Sequence, residues 1–89
     1  MTLKIERSLR LGLSVFTLSG RIASSHLSGL VAMFDGESNP RSVVLDLLEV
    51  QLVDRDAVKF LVQCEQRGMS LENCPMYVRE WMDREKPRE

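Results

Sequence analysis

The chain is poor in the residues that build the commoner small-protein sites. It holds one histidine, two cysteines and three prolines, and its 89 residues include only three Phe, one Trp and one Tyr. Cys64 and Cys74 form no CxxC pair, which excludes the spacing of a zinc ribbon or a dithiol redox centre. Each lies on or beside an apolar stripe and is expected to be a structural thiol of a reducing compartment. No apolar run approaches the roughly 18 residues of a membrane span. Met1–Arg10 mixes charged with apolar side chains and has no continuous apolar h-region, so a secretory signal is not expected and a cytoplasmic location is. Twelve Lys and Arg stand against thirteen Asp and Glu, for a formal charge of -1. That balance excludes a strong general attraction to nucleic acid or an anionic membrane. Repeats, low-complexity tracts and interdomain linkers are missing too. One domain over residues 1–86 is expected, with 87–89 as a flexible tail.

What is present reads as alternating strands and helices. Leu3, Ile5 and Leu9 fall on alternate positions, as in a strand with one face on a core, with Arg7 breaking the stripe. Gly12 marks a turn, and Leu13–Leu18 forms the second arm of a hairpin, ended by Gly20. Ser24 or Ser25 caps a helix in which Leu27, Leu30, Val31 and Phe34 recur at helical spacing, and Gly36 stops it. Glu37–Arg41 is a loop. Val43–Leu45 suits a strand buried on both faces, and Leu47–Val53 is a loop or a short extended link. Asp54 opens the clearest helix, with Ala57, Val58, Leu61, Val62 and Cys64 on its apolar flank and Gly68 at its end. Met69 and Leu71 mark a brief strand. Pro75 takes the first position of a last helix, packed through Tyr77, Val78, Trp81 and Met82. This order predicts a single α/β domain: a mixed sheet of about four strands with three or four helices on at least one face.

No residue set reads as catalytic. His26, alone among serines at a helix start, fits a capping or surface role better than that of a base, and the hydroxyls of Ser24, Ser25 and Ser28 fit helix capping. Gly20 and Gly29 belong to no phosphate-cradling loop. Arg79, Arg84 and Lys86 interleave with Glu80, Asp83 and Glu85 as on a solvated, ion-paired face. The chain is therefore expected to be no enzyme and to take no cofactor or metal. The informative stretch is Val43–Leu61, VVLDLLEVQLVDRDAVKFL. A buried strand there leads to a helix with Asp54 at its N-cap and Arg55 and Asp56 in its first turn. In open sheets, loops and helix amino termini converge at the carboxyl ends of strands, and unpaired N–H groups favour a carboxylate there by about 0.3–1 kcal/mol.

That stretch resembles the central motif of the sulfate transporter and anti-sigma factor antagonist (STAS) domain, D-L-S-x-V-x-F-[MV]-D-S-S-G followed by an apolar helix. Asp46, Leu47, Val50, Val53 and Asp54 match it. Leu18-Ser19-Gly20-Arg21-Ile22 resembles the family's L-x-G-[RE]-[LIV]-D element, with Ala23 in place of the last Asp. Asn73-Cys74-Pro75 with Val78 and Arg79 resembles its S-P-x-V-R passage. The three pieces occur in order and span nearly the whole chain.

The resemblance implies a non-enzymatic module that binds a protein. In the antagonist branch the partner is a kinase that doubles as an anti-sigma factor and phosphorylates the second serine of the S-S pair. Here Arg55 and Asp56 replace the two serines and Ala57 the glycine, so Asp56 occupies the phosphoacceptor position and the usual switch should be absent. Asp56 either imitates phosphoserine or belongs to an unswitched adaptor; the second is favoured, because one carboxylate is a weak substitute and Arg55 partly offsets its charge. The expected partner surface comprises Asp54, Arg55, Asp56 and Lys59. The alternative keeps the fold and makes the chain a cytoplasmic subunit of a lipid-transporting ABC complex, bound to the ATPase. Leu3–Leu9 is a candidate sheet edge for a homodimer.

Overall fold

The apolar alternation of the first residues builds a hairpin. In a computed structural model that describes residues 3–37 and 39–86, β1 (Leu3–Arg10) pairs antiparallel with β2 (Leu13–Ile22). The tail expected at 87–89 lies outside the described residues. Leu11 and Gly12 join the strands with φ of 52° and 80°, the positive pair of a two-residue type I′ turn. β2 does not end at Gly20, as its glycine suggests. Gly20 adopts φ 90° inside the strand, beside a shift of register, and β2 runs on to the fully buried Ile22.

β3 (Val43–Val53) lies parallel to β2, and β4 (Ser70–Glu72) parallel to β3, in the order β1-β2-β3-β4. The helices are α1 (Leu27–Asp35), α2 (Arg55–Gln66) and α3 (Met76–Glu85). The expected mixed sheet with its three helices is thus the observed one. Phe16 and Leu18 of β2, with Val43, Leu45 and Leu47 of β3, join Leu30, Phe34, Val58, Leu61, Val78 and Met82 of the helices in one buried cluster. Phe34 sits between Phe16 and Phe60, with ring centroids 5.1 and 5.9 Å away, tying α1 to both β2 and α2. By strand alternation Val15 and Val44 take the opposite face. They too are buried, yet they stand outside that cluster, so no buried helical residue joins them.

Local details depart from the periodicity. α1 begins at Leu27, after a 3₁₀ turn at Ser24–His26, and neither serine caps it. His26 accepts the Ala23 backbone N–H at Nδ1 over 3.1 Å, so its capping role is real. Leu30 and Phe34 are the buried residues of α1, and Val31 faces outward. Gly36 closes the helix in a right-handed conformation with φ -73°. α2 ends in a Schellman arrangement: the Met69 N–H reaches the Cys64 carbonyl over 3.1 Å, and the Gly68 N–H the Glu65 carbonyl over 3.1 Å, with Gly68 at φ 105°. Pro75 is the N-cap of α3 rather than its first residue, a shift of one position.

Of the two expectations for Leu47–Val53, a loop or an extended link, the extended one holds: the segment is strand throughout. Thr17↔Asp46 is followed by Ser19↔Glu49, and Gly20↔Val50 by Arg21↔Leu52, so β3 carries an extra residue at each step. Such bulges rotate the side chains that follow and break the period of two. The broken alternation therefore looks like a loop in the sequence although the backbone stays extended.

Candidate functional site

Asp54 holds the junction between β3 and α2. Its extended backbone (φ -98°, ψ 176°) makes it the N-cap. Oδ1 accepts the Ala57 N–H at 2.8 Å, and Oδ2 accepts the Ser24 N–H at 2.8 Å. One carboxylate thus caps α2 and fastens it to the turn ahead of α1, while the Asp54 N–H donates to the Ile22 carbonyl at 3.3 Å. The Ala57 N–H foremost, then the Ser24 N–H and the charge of Arg21, hold the Asp54 carboxyl below the usual carboxylate range against an opposing effect of burial.

The other expected site residues lie on the surface of α2. Arg55 and Asp56 are exposed in its first turn. The Arg55 Nε donates to Glu85 Oε1 of α3 at 3.1 Å, which draws the guanidinium toward the far end of α3. Among the described residues no ion pair is made to Asp56, and the Arg55 guanidinium pairs with Glu85 instead. The reason is tertiary: α3 returns alongside α2 and brings Glu85 to the tip. Lys59 lies one turn further along the exposed flank, where it lines a shallow groove with Val62, Gln63, Gln66 and Glu85.

Sequence reasoning missed the exposed apolar side chains of β3 and α3. Leu48, Leu52, Met76 and Tyr77 are 62%, 51%, 77% and 46% exposed. β4 pairs with β3 only over Val44–Asp46, so among the described residues the rest of β3 has no strand on that side, and the start of α3 stands beside it. The Tyr77 hydroxyl donates to the Gln51 carbonyl at 2.7 Å. Asp46 Oδ1 accepts from the Leu48 N–H and from Asn73 Nδ2, each at 3.1 Å. These bonds bind the β4–α3 link to β3 and set the start of α3, through Tyr77, beside the half of β3 that leads into α2. Tyr77 was expected in the core; its ring is half exposed because its hydroxyl bridges to β3. The available sequence signal was Leu48 and Leu52 standing out of phase among Glu49 and Gln51.

The thiols show no activation. Cys64 is buried and its thiol is pushed up to about 12 by burial; Cys74 is half-buried and raised for the same reason. Among the described residues no cluster of His, Cys, Asp and Glu is suited to a metal, and no helix is long and apolar enough to cross a membrane.

Fold and site together define a small α/β domain with a mixed sheet, a carboxylate-capped central helix, and exposed apolar side chains on β3 and α3. Among known proteins, no family model matches the chain and no curated sequence matches it.

Proposed function

We propose that the chain is a STAS-like interaction module of the cytoplasm, akin to an anti-sigma factor antagonist, that binds a protein through the tip of α2 and the apolar residues beside it. One observation carries this reading: Leu48 and Leu52 on the strand that leads into α2, and Met76 and Tyr77 at the start of α3, are exposed, and α2 itself opens with the exposed Arg55 and Asp56. Exposed apolar side chains rimmed by charge are what a docking protein can desolvate and orient upon. The motif supports the same reading, because two of its matched positions hold elements together through hydrogen bonds: Asp46 ties the β4–α3 link to β3, and Asp54 ties α2 to the turn before α1.

The tip carries a permanent charge. A phosphoserine would bring about -1.5 to -2 and three acceptor oxygens, whereas a carboxylate brings less of both. No hydroxyl occurs from Asp54 to Ala57 for a serine kinase to modify. The module is therefore an unswitched adaptor, and its partner must meet the Asp56 charge with a cation of its own. The partner chemistry that fits is a kinase-like ATPase or sigma regulator. An ABC ATPase on the same surface would change the pathway but not the mode of binding.

The test is affinity capture from the native host with the wild-type chain, Asp56→Lys and Leu52→Asp. A regulatory ATPase held by the wild type and weakened at least about tenfold by each substitution is expected, the loss typical of a central interface residue. Capture of no such protein, or capture indifferent to both substitutions, refutes the proposal.

A further inference from the structure

At the far edge of the sheet, away from α2, β1 pairs among the described residues with β2 alone. The hairpin decides which backbone groups of β1 are free. Residues flanking a two-residue turn exchange both backbone bonds, and the register from Arg10↔Leu13 to Leu3↔Gly20 has no shift. Lys4, Glu6, Ser8 and Arg10 therefore direct their N–H and C=O groups toward β2. Leu3, Ile5, Arg7 and Leu9 direct theirs outward. Beside that edge, Leu3 and Ile5 line a groove with His26, Gly29, Leu30 and Met33 of the α1 region.

We propose that β1 pairs antiparallel with β1 of a second copy of this chain, about a two-fold axis at Ile5, joining the two sheets into one. Ile5 then faces the partner's Ile5, Leu3 faces the partner's Arg7, and Lys4 faces the partner's Glu6 twice over. The even-numbered residues fall at the non-hydrogen-bonded positions, where Cα atoms approach to about 4.5 Å and side chains interact most closely. Lys4 Nζ now lies 3.1 Å from Glu6 Oε1 of its own strand, and both side chains are largely exposed, so the same charges are available across the axis.

Other registers are less favourable. An axis at Glu6 opposes two carboxylates. An axis at Arg7 opposes two guanidinium groups and sets Lys4 against the partner's Arg10. An axis at Ser8 matches Glu6 with the partner's Arg10, but Arg10 is already held by Glu72 at 2.7 Å, and Leu3 and Ile5 are left beyond the overlap. The Ile5 axis alone combines opposite charges with union of the two apolar grooves. Edge charges ordinarily keep strands apart; mixed signs that complement one another select one partner strand in one register.

Sedimentation velocity on the full chain, over concentrations up to about 1 mM, tests this independently of the α2 surface. The wild type is expected to dimerise. Lys4→Glu and Glu6→Lys should each weaken the dimer at least about tenfold, since both cross-axis pairs become repulsive. Mixing the two variants should restore association, because every carboxylate then faces an ammonium group. Ile5→Pro removes an outward N–H without a β1–β2 bond, so it should leave a folded monomer, checked by circular dichroism. A wild type that stays monomeric throughout, a dimer indifferent to the single charge reversals, or no rescue on mixing overturns the proposal.

Discussion

Replacing Asp54 by alanine removes two backbone acceptors at once, because its oxygens take the Ala57 and Ser24 N–H groups at 2.8 Å each. Loss of an N-cap costs about 0.5–2 kcal/mol, which already includes much of the charge–dipole attraction. Freeing the Ser24 N–H adds about 0.5–1.5 kcal/mol, moderated by water at this partly open site. A total of about 2 kcal/mol is expected, a fall in midpoint of about 8–16 °C for a domain of this size. Asp54→Ser separates the contributions: it can still cap Ala57 but lacks the second oxygen for Ser24, so about half the loss should remain. Urea unfolding followed by circular dichroism gives the free energies, and hydrogen exchange at the Ser24 and Ala57 amides gives the sites. Both amides should lose protection in Asp54→Ala, and only Ser24 in Asp54→Ser. A loss under about 0.5 kcal/mol in Asp54→Ala, far below an ordinary cap, or unchanged protection at Ser24, would refute the account of the junction.

The same carboxylate has a pH signature. The Ala57 and Ser24 N–H groups hold its folded pKa below the ordinary aspartate value, so the stabilisation it confers is fully present above the unfolded pKa and is lost as pH falls through the folded pKa; wild-type stability should decline more steeply below about pH 5 than that of Asp54→Asn, and parallel pH profiles would count against it. Leu11 is 97% exposed with φ 52°, a left-handed position that asparagine tolerates better, so Leu11→Asn should raise stability by about 0.5–1 kcal/mol in urea titrations. Gly68 has φ 105°, and a Cβ there would lie 3.0 Å from Arg41 Cγ; Gly68→Ala should cost more than about 1 kcal/mol, measured the same way. Cys64, with its thiol pushed up to about 12 by burial, should resist iodoacetamide at pH 8 until the chain unfolds, and labelling much faster than global unfolding would contradict the packing.

The β1–β2 hairpin, the helix opened by Asp54 and the order of elements were legible because each follows from neighbours a few residues apart. Alternation, the i to i+4 apolar spacing, an N-cap carboxylate and a glycine after the last helical turn act locally, and the tertiary structure had only to agree with them. The motif resemblance drew attention to the tip of α2, where Asp54, Arg55 and Asp56 do stand together. Its residue types alone could not say which way Arg55 turns.

Leu47–Val53 was legible only as a loop or an extended link for a specific reason: two register shifts against β2 break the period from which a strand is recognised. The exposure of Tyr77 depends on the Gln51 carbonyl, and the direction of Arg55 on Glu85, partners separated from them by many residues. By itself, the sequence determined a single α/β domain with a carboxylate at the head of its central helix, since those features need only short-range sterics, hydrogen bonding and apolar periodicity. Only the tertiary structure decided which apolar side chains of β3 and α3 remain in water and that Arg55 turns to Glu85, because exposure and pairing are properties of how distant surfaces meet.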